Sequence, residues 1–154
     1  VSTRLGVLTL LRRLADERRL AIVLITHDLS SAAAIADRVL VLYAGRIVEA
    51  GATADVLRTP AHPYTRLLLS SAPRGERLSA APASLAAAAA PSAPSAIDPA
   101  AARDAASGCA FAARCSHAQP RCHSTAPNEL VVAPGHRARC HLYEEGAFDH
   151  VALS

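Results

Sequence analysis

Leu20 to Gly51 reads LAIVLITHDLSSAAAIADRVLVLYAGRIVEAG, and this stretch decides the fold class. It opens on an apolar run, Leu20 to Ile25, that includes Ile22, Val23 and Ile25. A run of that length and β-branched content predicts a strand buried on both faces of a parallel sheet. It stops at Thr26-His27-Asp28, and Asp28 stands where a helix over Ser30 to Ala36 should begin. One imidazole, His27, is therefore expected at the carboxyl end of a buried strand. In open α/β sheets that edge is where ligands bind. Arg38 to Tyr43 and Arg46 to Glu49 then read as two strands around an Ala44-Gly45 turn, closed by Gly51 and expected at the sheet's edge. Spacing alone makes His27 a polar residue at a strand end and nothing more.

Upstream, Val1 to Arg19 reads as an amphipathic helix. Leu5, Leu8, Leu11 and Leu14, with Ala15, share a face, and Ser2 or Thr3 can cap it. Arg12 with Asp16 and Arg13 with Glu17 are spaced for ion pairs on the wet side. Such a face needs a sheet to cover, and too few strands follow to build one. The chain is thus expected to be a carboxyl-terminal piece of a larger α/β domain. Downstream, Thr53 to Arg58 reads as a short helix capped by Thr53 and ended by Pro60. His62-Pro63-Tyr64-Thr65 opens another, with Pro63 near its first position, Leu67, Leu68 and Leu69 as its apolar content, and Pro73 as its stop. His62 is expected to cap or pack there.

The 51% hydrophobic content of the 154 residues is inflated by alanine, and aromatics are only 3%, so the core must rest on Leu, Val and Ile of the first half. All 16 basic residues are arginine, spread along the chain, and the net charge is only +3, which argues against a nucleic-acid partner. No run approaches the roughly 18 apolar residues of a membrane span, and the amino terminus lacks the order of a signal peptide. Residues 74–107 are dominated by Ala, Pro and Ser, with alanines from Ala86 to Ala90 and prolines at Pro91, Pro94 and Pro99, and read as a linker.

Beyond it stand all the cysteines, Cys109, Cys115, Cys122 and Cys140, spaced C-x5-C-x6-C-x17-C. Four soft thiolates suit an iron–sulfur cluster or a zinc ion. Structural zinc sites usually draw ligands from C-x₂₋₄-C pairs, and the wider gaps here suit a larger cluster somewhat better. Spacing leaves both open; two disulfides, which need an oxidising compartment, come third. His117, His123, His136 and His141 lie close enough in sequence to replace a ligand, and are expected to be solvated instead.

The order apolar strand, His27-Asp28, alanine-rich helix, Asp37-Arg38, strand, Ala44-Gly45-Arg46, strand resembles the late part of an ABC transporter nucleotide-binding domain. His62-Pro63-Tyr64-Thr65 resembles the subgroup serving oligopeptide, dipeptide and nickel importers, as does the text around Gly108-Cys109-Ala110-Phe111, Arg121-Cys122 and Cys140-His141-Leu142. Ala113 stands where that subgroup commonly has proline. The resemblance implies an α/β fold: the carboxyl-terminal part of an ABC ATPase domain (parallel strand, helix, edge hairpin) over 1–73, a linker over 74–107, a small irregular four-cysteine tail over 108–142 and a terminal tail over 143–154. It implies that His27 is the switch residue contacting the γ-phosphate of ATP, with Mg2+, in the intact parent. It implies a 4Fe-4S cluster on Cys109, Cys115, Cys122 and Cys140, with zinc as the alternative. The implied partners are a second ABC ATPase subunit, transmembrane permease subunits and, indirectly, an extracytoplasmic substrate-binding protein, with the subunit peripheral on the cytoplasmic face of the membrane.

The sequence has no G-x-x-x-x-G-K-[ST] loop and no lysine, no apolar strand ending in Asp-Glu, and no Ser-Gly-Gly-rich signature loop. In the family, Val1 would fall just after the loop that follows the catalytic glutamate. The chain alone is therefore expected neither to bind ATP tightly nor to hydrolyse it. The rival reading is a non-enzymatic metal-binding interaction module, holding zinc or an iron–sulfur cluster on an α/β scaffold.

Overall fold

The structure, a computed structural model, describes residues 3–71 and 107–144. Nearly all of the linker and of the terminal tail lie outside the described residues. Helix α1 spans Thr3–Arg18 and α2 spans Leu29–Ile35. Strands β1 (Arg38–Tyr43) and β2 (Arg46–Ala52) are followed by α3 (Thr53–Arg58) and α4 (Pro63–Ser70). The cysteine region adds a short helix, α5 (Pro120–Ser124), strands β3 (Leu130–Ala133) and β4 (His136–Ala138), and two single 3-10 turns at Ala112–Arg114 and His141–Tyr143. No helix among the described residues is long and apolar enough to cross a membrane.

Helix α1 forms as its periodicity predicts, with Leu8 buried and both wet-side pairs made, Arg12–Asp16 at 3.3 Å and Arg13–Glu17 at 2.6 Å. It stops at Arg19 in the left-handed region, φ 53°, with the Leu20 amide donating to the Ala15 carbonyl at 2.9 Å. That six-to-one bond is the Schellman way of ending a helix. Arg12 also donates to the Ile35 carbonyl at 2.9 Å and to Asp37 at 2.8 Å, which ties α1 to the end of α2.

The expectation for Leu20 to Ile25 is corrected. The segment is not a strand, and Val23 and Ile25 are 89% and 94% exposed. A strand of a parallel sheet exists only through ladders to neighbours on either side, and no described residue offers one. The sheet that does form is antiparallel throughout, in the order β1-β2-β4-β3. The hairpin is consequently only half an edge: β1 is at the border, but β2 is interior and pairs with β4 through Glu49 opposite Ala138 and Ala50 opposite Arg137. The tail is correspondingly less irregular than expected, since its own hairpin completes the sheet.

Two turns set the pairing. Ala44 and Gly45 both have positive φ, 48° and 76°, the primed geometry whose twist matches two-residue hairpins. Pro134-Gly135 joins β3 to β4 with Gly135 at φ 74°, the conformation a type II turn demands after proline. One face of the sheet carries the core. Val39, Val41 and Tyr43 of β1 alternate inward and cluster with Val48, Val56 and Phe111, with Tyr64, Leu67, Leu68, Cys109 and Cys115 packed against them. Leu40 and Leu42 point the other way and stay exposed. Thr53 is not the cap of α3 as expected; Ala52 is, and the Thr53 hydroxyl donates to the Ala36 carbonyl at 2.6 Å.

At the centre of β2 sits Glu49, 1% exposed. Its carboxylate accepts from the Ala61 amide at 2.7 Å, the His62 amide at 2.9 Å and His136 Nε2 at 2.7 Å. Gly51, two residues on, leaves room for His136: a Cβ there would meet its Cδ2 at 3.2 Å and Val56 Cγ2 at 3.0 Å. One side chain therefore satisfies the loop entering α4 and the strand arriving from the tail. Each buried donor left without a partner costs about 1–3 kcal/mol. Glu49→Ala should lower unfolding free energy by about 3–5 kcal/mol in urea titrations of the full chain, whereas Glu129→Ala, on the surface, should change it by less than about 1 kcal/mol. Equal losses would contradict this account.

Candidate functional site

The four cysteines, up to 31 positions apart in sequence, line one pocket together with His62, Pro63, Phe111, Ala112, His117, His141 and Leu142. The local chain explains how. Gly108 lets the backbone pass against the end of α5: a Cβ there would lie 2.7 Å from the Cys122 and His123 carbonyl oxygens. That close approach allows the Cys109 amide to donate to the Cys122 carbonyl at 2.8 Å. The Ala112–Arg114 turn then delivers Cys115, and the strand β4 that pairs with Glu49 delivers Cys140 on its way out. The wall behind is aromatic. Tyr43, Tyr64 and Phe111 meet edge-on or tilted at 4.7–5.4 Å between centroids, and the His62 ring lies 5.8 Å from Phe111.

All four thiols are free of disulfides. Backbone N–H groups point at each sulfur: Phe111 and Ala112 at Cys109, His117 at Cys115, Leu142 at Cys140, and Gln119 at Cys122, 3.4 Å away. Such donors favour thiolate. Burial outweighs them, with the neighbouring sulfurs adding to it, so the Cys109 and Cys115 thiols are raised and Cys140 is pushed up to about 11. Protonated thiols of this kind are poor nucleophiles near neutral pH. A bound cation reverses the balance, because coordination deprotonates a thiol outright. The donor set thus fits a metal–sulfur group, although among the described residues no three His, Cys, Asp or Glu side chains are arranged to hold a single metal ion.

The histidines divide differently from expectation. His136 and His141 are not solvated but 2% and 3% exposed. His136 is committed to Glu49, and His141 engages Glu144 through Nδ1 at 2.6 Å and the Thr125 carbonyl through Nε2 at 2.8 Å. The hydrogen bond from His141 holds the Glu144 carboxyl below the usual carboxylate range. Both rings are too deeply used in the fold to serve as spare ligands. His123 is exposed and His117 half-buried. His62, read as a cap, is one: its Nδ1 accepts from the Tyr64 amide at 3.1 Å. His27 lies apart from the cysteine pocket, on the exposed connection between Leu20 and α2, where Asp28 N–H donates to Thr26 Oγ1 at 3.0 Å. Glu49 and the Glu49–His136 pair escaped the sequence reading altogether; the Pro134-Gly135 turn after Leu130-Val131-Val132-Ala133 was the signal that a further hairpin was present.

Residues 48–122 match the family described as Oligopeptide/dipeptide transporter, C-terminal region. The matched span runs from β2 through the His62-Pro63-Tyr64 helix start to the third cysteine. The chain is 37% identical over 155 residues to a Brucella ovis protein that carries a peptide import ATP-binding name, covering 94% of this chain and 42% of that protein. It is 37% identical over 149 residues to the oligopeptide transport ATP-binding protein AppD of Bacillus subtilis (94% and 41%). It is 33% identical over 158 residues to the dipeptide transport ATP-binding protein DppD of the same organism (100% and 43%). Over nearly all of its own length the chain is similar to peptide-transporter ATP-binding proteins. It spans about two-fifths of the length of the curated relatives it matches. The rival reading as a free-standing metal-binding module finds no support in these relatives, whose names are those of ATP-binding transport proteins.

Burial lowers the His62 imidazole to about 4, against an opposing pull from Glu49. The ring is neutral when folded, so below about pH 6.5 the unfolded chain takes up a proton that the folded chain refuses. Stability should be fully present above pH 6.5 and fall by up to about 3 kcal/mol as pH drops towards 4. Urea titrations of the metal-free chain across that window should show the slope, and His62→Asn, which retains a capping side chain, should flatten it.

Proposed function

We propose that the chain is part of the ATP-hydrolysing subunit of an ABC importer for dipeptides or oligopeptides, coupling hydrolysis to transport. The observation that carries this is the match over residues 48–122, which joins most of β2, the His62-Pro63-Tyr64 helix start and three of the four cysteines in one family pattern. In this reading the subunit binds ATP with Mg2+ and works with a second ATPase subunit and transmembrane permease subunits, peripheral on the cytoplasmic face. An extracytoplasmic substrate-binding protein feeds the same permease.

Within that assembly His27 is the residue of this chain that meets the nucleotide. His27 is exposed and follows the apolar Leu20–Ile25 segment, and nothing among the described residues covers it. Its N–H group would be held against a γ-phosphate oxygen. Phosphoryl transfer rests almost wholly on positioning and charge stabilisation, and a single well-placed donor contributes about 10²–10³ in rate. In the full-length subunit assembled with its permease, His27→Ala should reduce ATP hydrolysis about 10²–10³-fold while leaving assembly intact. An unchanged rate would refute the role. The 154-residue chain by itself should show no ATP turnover.

The four thiols of Cys109, Cys115, Cys122 and Cys140 are proposed to hold a 4Fe-4S cluster, zinc being the alternative. What supports it is their common pocket and the N–H groups aimed at their sulfurs. When bound, the cluster supplies one-electron chemistry and a cross-link among α5, the Cys109 loop and the exit of β4. Anaerobic purification followed by metal and sulfide analysis is expected to give iron with acid-labile sulfide. Stoichiometric zinc would overturn the cluster, and Cys140→Ser should abolish iron retention.

A further inference from the structure

Three histidines line the cysteine pocket: His62, His117 and His141. They are not equivalent. His141 spends both nitrogens on Glu144 and Thr125, and His117 is half-buried. His62 is 1% exposed, and only its Nδ1 is used, as acceptor for the Tyr64 amide. Because Nδ1 accepts, the neutral ring carries its proton on Nε2. Among the described residues no acceptor is bonded to that Nε2–H. The backbone of His62 is meanwhile fixed from below by Glu49 at 2.9 Å, and its ring from the side by Phe111. This N–H belongs to a ring that forms part of the wall shared by the four thiols.

We propose that His62 is a positioning residue for the cysteine site, and that its Nε2–H donates to a sulfur of the metal–sulfur group held there. The inference rests on the four-cysteine reading above and adds a specific donor to it. It also gives the His-Pro-Tyr segment a physical purpose: Pro63 starts α4 and the Tyr64 amide fixes the tautomer, so the helix start orients the ring. Outer hydrogen bonds of this kind stabilise the more electron-rich, reduced state of a cluster and raise its potential.

The test compares the full chain, loaded anaerobically with iron and sulfide, with His62→Asn and His62→Gln. Asn can still cap the Tyr64 amide but has no group in place of Nε2–H; Gln carries an N–H donor at nearly the same reach. The readouts are iron per chain, the midpoint potential from a redox titration and the electron paramagnetic resonance spectrum of the reduced form. At equal loading, His62→Asn should shift to a more negative potential with an altered spectrum, and His62→Gln should return towards wild type. Should His62→Asn not load, a His62→Gln chain that loads at the wild-type potential still supports the donor, and one that loads with a shifted potential overturns it. If wild type loads and all three chains share one potential and spectrum, the cluster stands and the His62 donor is overturned. If wild type takes up no iron and sulfide, the cluster reading falls and the donor with it.

Discussion

A single buried carboxylate holds the two halves of this chain together. Glu49 lies in the middle of β2, facing inward where a strand residue is normally apolar. Such a group is tolerated in a core only if every lone pair that matters has a donor. Ala61, His62 and His136 supply those donors. The arrangement specifies as well as stabilises. The register of β4 on β2 is the one that brings His136 to Glu49, and a slip of one residue would turn that ring to the opposite face. Tyr143 reinforces the same junction, its hydroxyl donating to the Ala61 carbonyl at 3.2 Å. Loop, helix start and tail strand are thus placed by one group, and the cysteine pocket inherits its walls from all three.

On the proposed metal-binding reading, the pocket keeps its thiols ready for a cation without making them reactive. Burial and mutual proximity keep Cys109, Cys115 and Cys140 protonated, while backbone N–H groups wait for the charge that coordination would place on sulfur. Were the donors absent, a negatively charged metal–sulfur group would sit unsolvated in an aromatic-walled cleft. Were the burial absent, the thiols would ionise and oxidise at the surface. The chemistry of the site therefore lies as much in the main chain around Gly108, Phe111, Gln119 and Leu142 as in the cysteines.

Much of this was legible in the sequence for identifiable reasons. The Ala44-Gly45 turn, the proline-started α4 and the wet-side pairs of α1 are local, and local rules found them. His27 is exposed, but the buried strand whose end was expected to present it is not formed; the four cysteines, isolated in the text beyond the alanine-rich tract, line one pocket. Leu20–Ile25 misled because a buried-strand reading presupposes neighbours, and neighbours are not a property of six residues. Glu49 was invisible because its partners lie 12, 13 and 87 positions away; nothing in the text of β2 announces them. His136 and His141, expected to be solvated, are held by Glu49, 87 positions away, and by Glu144, three positions on.

The separation between Glu49 and His136 has an entropic corollary. Closing a stretch of chain costs only about 0.6 kcal/mol more for each doubling of its length. Glu49 and His136 lie 87 positions apart, so halving or doubling that separation would change the cost of bringing them together by no more than an ordinary hydrogen bond contributes. The strength of the junction is set by its two anchors.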